Sequence, residues 1–323
     1  MAQRWLAQSS DTLPARVAIA RLALARGASD EAYAALAPEE ARLIGEAEAF
    51  PARLELYALV LANTGQPDEA YDILMARTSS GDAWVDMFIR VASDMDAEPE
   101  TVRTWLREGE TLAGQRLPAI GALAQGWANL GADTGAEADY REIIRLLDGR
   151  PGIERSAAVI LLAISHEQVG ELDAAEERYR QAYALVPNQP IVLNNLAYLL
   201  LKKGQDIEEA AGYARSAVDG ARQLGYPADA QAGFQHTLGE VLSALGRGGD
   251  SEQAFRDGLT LDPQHPHLLL SLAELLAEDQ RREEAVSLLG RIDTADQSVT
   301  SDPDFGDRYD ALKQALSQAD PDS

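Results

Sequence analysis

The stretch from Ser156 to Gln189 reads SAAVILLAISHEQVGELDAAEERYRQAYALVPNQ. Its apolar residues recur at three- and four-residue steps on both sides of Gly170, which predicts two helices joined by a turn. Leu162 and Ala163 form a large–small pair before the turn, Ala175 and Tyr179 a small–large pair after it, and Pro187 closes the unit. Glycine ends a helix readily because it enters the left-handed conformation without a Cβ penalty. A small residue on each helix lets the two backbones approach, and the large neighbours fill the groove toward the next hairpin.

The same pattern extends in both directions. Turn glycines stand at Gly27, Gly65, Gly131, Gly170, Gly204 and Gly246, and Asp96 and Gln280 continue the series. Seven residues before these turns come Ala20, Ala58, Ile89, Ala124, Ala163, Ala197, Gly239 and Ala273, each preceded by a large apolar residue. After the turns come Ala32, Ala70, Val102, Ala136, Ala175, Ala210, Ser251 and Ala285. Four residues beyond these stand Leu36, Leu74, Leu106, Tyr140, Tyr179, Ala214, Phe255 and Leu289. One hairpin cannot bury its own apolar face, so about eight of them are expected to stack into an all-α solenoid.

This hairpin resembles the tetratricopeptide repeat. The resemblance covers roughly residues 13–299 and is carried most clearly by Ser156–Gln189 and by Ala232–His265, which has Leu238, Gly239, Gly246, Ser251, Phe255, Gly258 and Pro263. Leu117–Arg150 matches through Leu123, Ala124, Trp127, Gly131, Ala136 and Tyr140, and the pattern is degenerate around 82–116. The resemblance implies a right-handed superhelix whose first helices line a concave, partner-binding face. Residues 1–12 read as part of a preceding repeat's second helix. Residues 300–323 read as a capping helix and frayed tail, with Phe305, Tyr309, Leu312 and Leu316 on one face. Between them, the 42-residue unit at 190–231 is expected to have a second helix that runs on until Pro227 stops it.

Composition narrows the function. The chain has 28 Lys and Arg against 53 Asp and Glu, a net charge of −25, which disfavours phosphate backbones and anionic lipid. There is no cysteine, so thiolate metal sites and cysteine nucleophiles are excluded. The opening MAQRWLAQSSDTLP lacks the apolar core of a signal peptide, so as written the chain is expected in the cytoplasm, or in the periplasm or envelope if it is a mature fragment.

No catalytic motif appears. HEQVG places Gly170 where a second zinc-binding histidine would stand, DMDAEPE has Pro99 where a calcium loop needs glycine, and His265-x-His267 lacks a third ligand nearby in sequence. No cofactor is implied, and the chain reads as non-enzymatic.

The candidate site is geometric. Residues flanking the packing pair on successive first helices are Asn194, Asn195, Tyr198 and Lys202, then His236, Thr237 and Glu240, then Ser271 and Glu274, with His267 and Glu278 beside them. Asparagine is a mediocre helix former whose amide both donates and accepts, which suits the backbone of an extended peptide. In related superhelical arrays an asparagine at the place of Asn195 holds peptide backbone. Glu240 and Glu274 would make the groove negative, favouring a basic or neutral partner over an acidic one. Ile160, Ile164 and Glu240 stand where a carboxylate clamp would need basic residues.

The leading expectation is a scaffold that binds a partner protein or extended peptide. LNNLAYLL and the repeats after it resemble bacterial arrays associated with exopolysaccharide production and export. The alternative is a regulatory or accessory region of a larger enzyme such as a glycosyltransferase.

Overall fold

The computed structural model describes residues 12–152, 156–292 and 303–318. The partial helix expected before residue 12 and the frayed tail after 318 lie outside them. The described residues are helical with no strand, and the chain divides into two compact units, Met1–Gly170 and Glu171–Ser323.

The first unit contains α1 (Leu13–Leu24), α2 (Ser29–Leu36), α3 (Glu40–Gly45), α4 (Pro51–Asn63), α5 (Pro67–Thr78), α6 (Asp82–Asp94), α7 (Pro99–Ala113), α8 (Leu117–Thr134), α9 (Glu137–Leu147) and α10 (Ser156–Gln168). The second contains α11 (Leu172–Leu185), α12 (Pro190–Lys203), α13 (Ile207–Leu224), α14 (Ala228–Ala244), α15 (Gly248–Leu261), α16 (Pro266–Glu278), α17 (Arg282–Ile292) and α18 (Pro303–Gln318). Proline opens α4, α5, α7, α12 and α16, where its fixed φ suits the first turn and its missing N–H costs nothing.

The large–small pairs lie where the sequence places them. Tyr57–Ala58 and Leu123–Ala124 are buried in the first unit, and Leu196–Ala197 and Leu272–Ala273 in the second. The pattern slips in two places, each for a steric reason. Gly131 is not a turn residue: α8 runs through it to Thr134, and Gly135 takes the left-handed turn at φ 65°. A Cβ on Gly131 would stand 3.0 Å from the Tyr140 ring, so this glycine serves close packing, and Ala136 moves to the half-buried start of α9. In the degenerate hairpin, Ile89 and Val102 occupy positions that are small elsewhere. There Gly109 supplies the close approach, since a Cβ on it would lie 3.1 Å from Ile89 Cγ1. Phe88 stacks on Trp105 at 5.0 Å between ring centroids, and Tyr71 meets both edge-on.

In the second unit, Gly239 faces Phe255 so closely that a Cβ would approach the ring to 2.2 Å. Ser251 takes a small position and satisfies its hydroxyl by donating to the Gly239 carbonyl at 2.8 Å. The long second helix is α13, which continues to Leu224 before Gly225 turns the chain with φ 69°. Helix α18 buries Phe305, Tyr309 and Leu316. Its contacts run to α16 and α17.

Candidate functional site

Helix α12 buries Leu193, Leu196 and Leu200 and turns Asn194, Tyr198 and Lys202 to another face, as a four-residue step requires. Tyr198 is 44% exposed, Lys202 is exposed, and Asn194 and Asn195 are half-buried. Asn194 Nδ2 donates to Asn195 Oδ1 across a long 3.4 Å, while Asn194 Oδ1 is buried without a hydrogen-bond partner. A buried acceptor left unpaired costs about 1–3 kcal/mol.

The next two first helices hold a polar network. Ser271 donates its one hydroxyl proton to Glu240 in a short hydrogen bond. His236 Nε2, 3.1 Å from the same hydroxyl, must therefore donate to it. His236 also lies 3.4 Å from Glu240. The network is completed from α18. Arg308 Nε donates to Glu274 Oε1 at 3.1 Å, and its Nη2 donates to Glu274 Oε2 and, at 3.3 Å, to Ser271. The same nitrogen is 3.5 Å from Glu240. Burial alone would raise the Glu240 pKa, but His236, Ser271 and Arg308 more than offset it and hold the carboxyl at about 2.

Two expectations are corrected by this arrangement. Thr237 and Ser271 do not line an open face: they are 5% and 4% exposed. Thr237 turns back toward the Gly233 carbonyl of its own helix, and Ser271 is held beneath Glu240 and Arg308. The Glu240–Glu274 pair does not leave a bare negative field, because Arg308 sits on both carboxylates. Beside them, His265 and His267, which have no third ligand nearby in sequence, are approached by His236, 6.2 and 5.8 Å away between ring centroids. His265 Nδ1 is engaged by the Leu268 N–H at the start of α16, and no three His or carboxylate groups among the described residues are placed to hold a metal ion. Burial and the neighbouring His236 lower the His265 pKa.

Sequence reasoning missed Arg308. A signal was present, because Glu240, Glu274 and Arg308 follow one another at 34-residue steps. Carrying the repeat register one unit past Gln280 would have found it, although α18 has no second helix after it among the described residues.

Ion pairs also link the second helices of neighbouring hairpins in the second unit. Arg180 of α11 reaches Glu209 of α13 at 3.1 Å, and Arg281, just before α17, reaches Glu252 of α15 at 2.7 Å. The acidic surface is therefore partly stitched between neighbouring hairpins. No helix among the described residues is long and apolar enough to cross a membrane.

No protein-family model matches the chain. In sequence it is similar to the cellulose synthase operon protein C of Pseudomonas fluorescens (strain SBW25), with 29% identity over 160 residues. That match covers 48% of this chain and 12% of the relative. Among solved structures it is similar to the APC/C hetero-tetramer Cut9–Hcn1, with TM-score 0.53 and 17% identity over 96% of this chain and 58% of that one. It is also similar to yeast Tom70, with TM-score 0.53 and 18% identity over 91% of this chain and 61% of that one. The chain thus spans about three-fifths of each structural relative and a small fraction of the sequence relative. With its buried large–small pairs and repeated hairpins, the chain has the all-α fold of tetratricopeptide-repeat proteins.

Proposed function

We propose that this chain is a non-enzymatic scaffold that holds a partner protein or extended peptide along the first helices α12, α14 and α16. The observation that carries the reading is on α12, where exposed Tyr198 stands beside Asn195 and Asn194, the latter with an amide oxygen that has no hydrogen-bond partner. A peptide backbone N–H offers the donor that oxygen lacks, and a phenol ring offers contact area at low entropic cost. The partner is a protein or peptide that is basic or neutral where it meets α14 and α16. Nucleic acid and direct membrane insertion fit poorly with a net charge of −25. The similarity to a cellulose synthase operon protein supports a place in a bacterial exopolysaccharide assembly at the envelope.

Pull-down with wild type and with an Asn195→Ala, Tyr198→Ala double variant tests the reading. The double variant should keep its helical signal and lose its partners. Retention of every partner at unchanged affinity would move binding to another face. The short coverage of the sequence relative favours one second reading, an accessory region working within a longer protein such as a glycosyltransferase.

A further inference from the structure

We propose that Glu240, Ser271 and Glu274 form a guanidinium-binding site which the chain fills with its own Arg308, and which an arginine of the partner takes over by displacing that side chain. This inference rests on the reading that the first helices of the second unit bind a partner, and it names the partner's chemistry.

The acceptors are arranged for a fork. Both oxygens of Glu274 receive separate nitrogens of Arg308, and the nitrogen that serves Oε2 is also offered to Ser271 and Glu240. A planar guanidinium matches a carboxylate in this way and an ammonium does not. His236 bonds to both Ser271 and Glu240 from α14, so these two acceptors stay in place when the arginine leaves.

The occupant is exchangeable. The side chains of Arg308, Glu240 and Glu274 are 34%, 26% and 29% exposed, so water can replace the arginine as it departs. The anchoring of α18 rests on Phe305, Tyr309 and Leu316, all buried, and not on Arg308 alone. The guanidinium can therefore swing out while the helix stays docked. An arginine-bearing partner meets the acceptors already assembled, and competition with Arg308 sets its affinity.

The test titrates a short probe, acetyl-Gly-Ser-Arg-Ser-Gly-amide, onto the full chain by calorimetry, beside otherwise identical lysine and glutamine peptides. Arg308→Ala should bind the arginine peptide about ten-fold tighter than wild type does, and tighter than either control peptide. Adding Glu274→Gln to Arg308→Ala should abolish the gain. Arg308→Lys, which keeps the charge near Glu274 but loses the fork, should show a smaller gain for the arginine peptide and guards against a cap that loosens in the alanine variant. No gain in either Arg308 variant, an equal gain for all three peptides, or a gain that survives Glu274→Gln would overturn the site. If the gain fails while partner capture still depends on Asn195 and Tyr198, only this inference falls. If the gain appears while capture ignores those two residues, the arginine site stands and the α12 reading falls.

Discussion

Arg103 in the first unit and Arg308 in the second each hold a carboxylate through a forked pair of hydrogen bonds, but in different surroundings. Arg103 donates to both oxygens of Asp139 at 2.8 Å, and Thr134 adds a third hydrogen bond at 3.0 Å. The Asp139 side chain is 2% exposed and that of Arg103 is 18% exposed. Burial would push the Asp139 pKa up, yet Arg103 and Thr134 overcome it and the carboxyl is held below its ordinary value. The side chains of the Arg308 network are about a quarter to a third exposed to water. Removing one partner from a buried pair leaves an uncompensated charge, whereas a half-exposed partner is replaced by solvent. The first arrangement ties two neighbouring hairpins together, and the second can change partners.

The largest expected effect follows from this contrast. Asp139→Ala should cost about 3–5 kcal/mol, because it removes the buried carboxylate that Arg103 grips in a fork and leaves that guanidinium only the exposed Glu100. Tryptophan fluorescence during urea unfolding is the selective readout, since Trp84, Trp105 and Trp127 belong to the first unit and no tryptophan follows Gly170. A midpoint shift worth less than about 1 kcal/mol would mean that water reaches the pair as it reaches Arg308.

Second in size is Gly239→Ala. Its Cβ would approach Phe255 to 2.2 Å, so the α14–α15 hairpin must open or the ring must turn, at about 1–3 kcal/mol. Gly212→Ala is the control, because a Cβ there meets nothing within 4 Å and the residue lies inside α13. Equal thermal shifts for the two variants would show that the close approach at Gly239 is absent in solution.

Acid separates the two regions more gently. The folded-state pKa of His265 is lowered from 6.5, so the unfolded chain binds the proton more readily and stability falls as pH drops below about 6.5. Glu240, at about 2 against an ordinary 4.5, adds stability that is present above 4.5 and is lost as pH falls toward 2. Asp139 acts in the same direction, but only below its ordinary 3.8. Between pH 7 and 5, thermal unfolding followed by tryptophan should therefore hold steady while hydrogen exchange at α16, corrected for intrinsic rate, speeds up. Equal responses of both regions in that window would contradict the assignment.

The smallest effect belongs to the exposed pair Arg90–Glu55, whose side chains are 47% and 27% exposed. Glu55→Gln should change stability by no more than about 1 kcal/mol, measured by the same urea midpoint. A larger loss would mean that exposure is a poor guide to which of these pairs is structural.

Much of this was legible in the residue order. The helical period, the turn glycines at Gly65 and Gly204 and the buried pairs such as Leu196–Ala197 are local or nearest-neighbour features, and a repeated chain states them many times. Even Gln280, which replaces a turn glycine, adopts the left-handed conformation at φ 63° because its position requires it. The shift of the turn from Gly131 to Gly135 was not legible, since it depends on the Tyr140 ring filling the space above Gly131.

The candidate site divides along the same line. Residue spacing alone placed Asn194, Tyr198 and Lys202 on one face of α12, because a helix repeats every 3.6 residues whatever surrounds it. Tertiary structure decided the rest. It buried Thr237 and Ser271, brought His236 beside His265 and His267, and set Arg308 on Glu240 and Glu274. Those outcomes depend on how side chains from different hairpins share space and protons. A helical period fixes which way a residue faces, and only packing between hairpins fixes what it meets there.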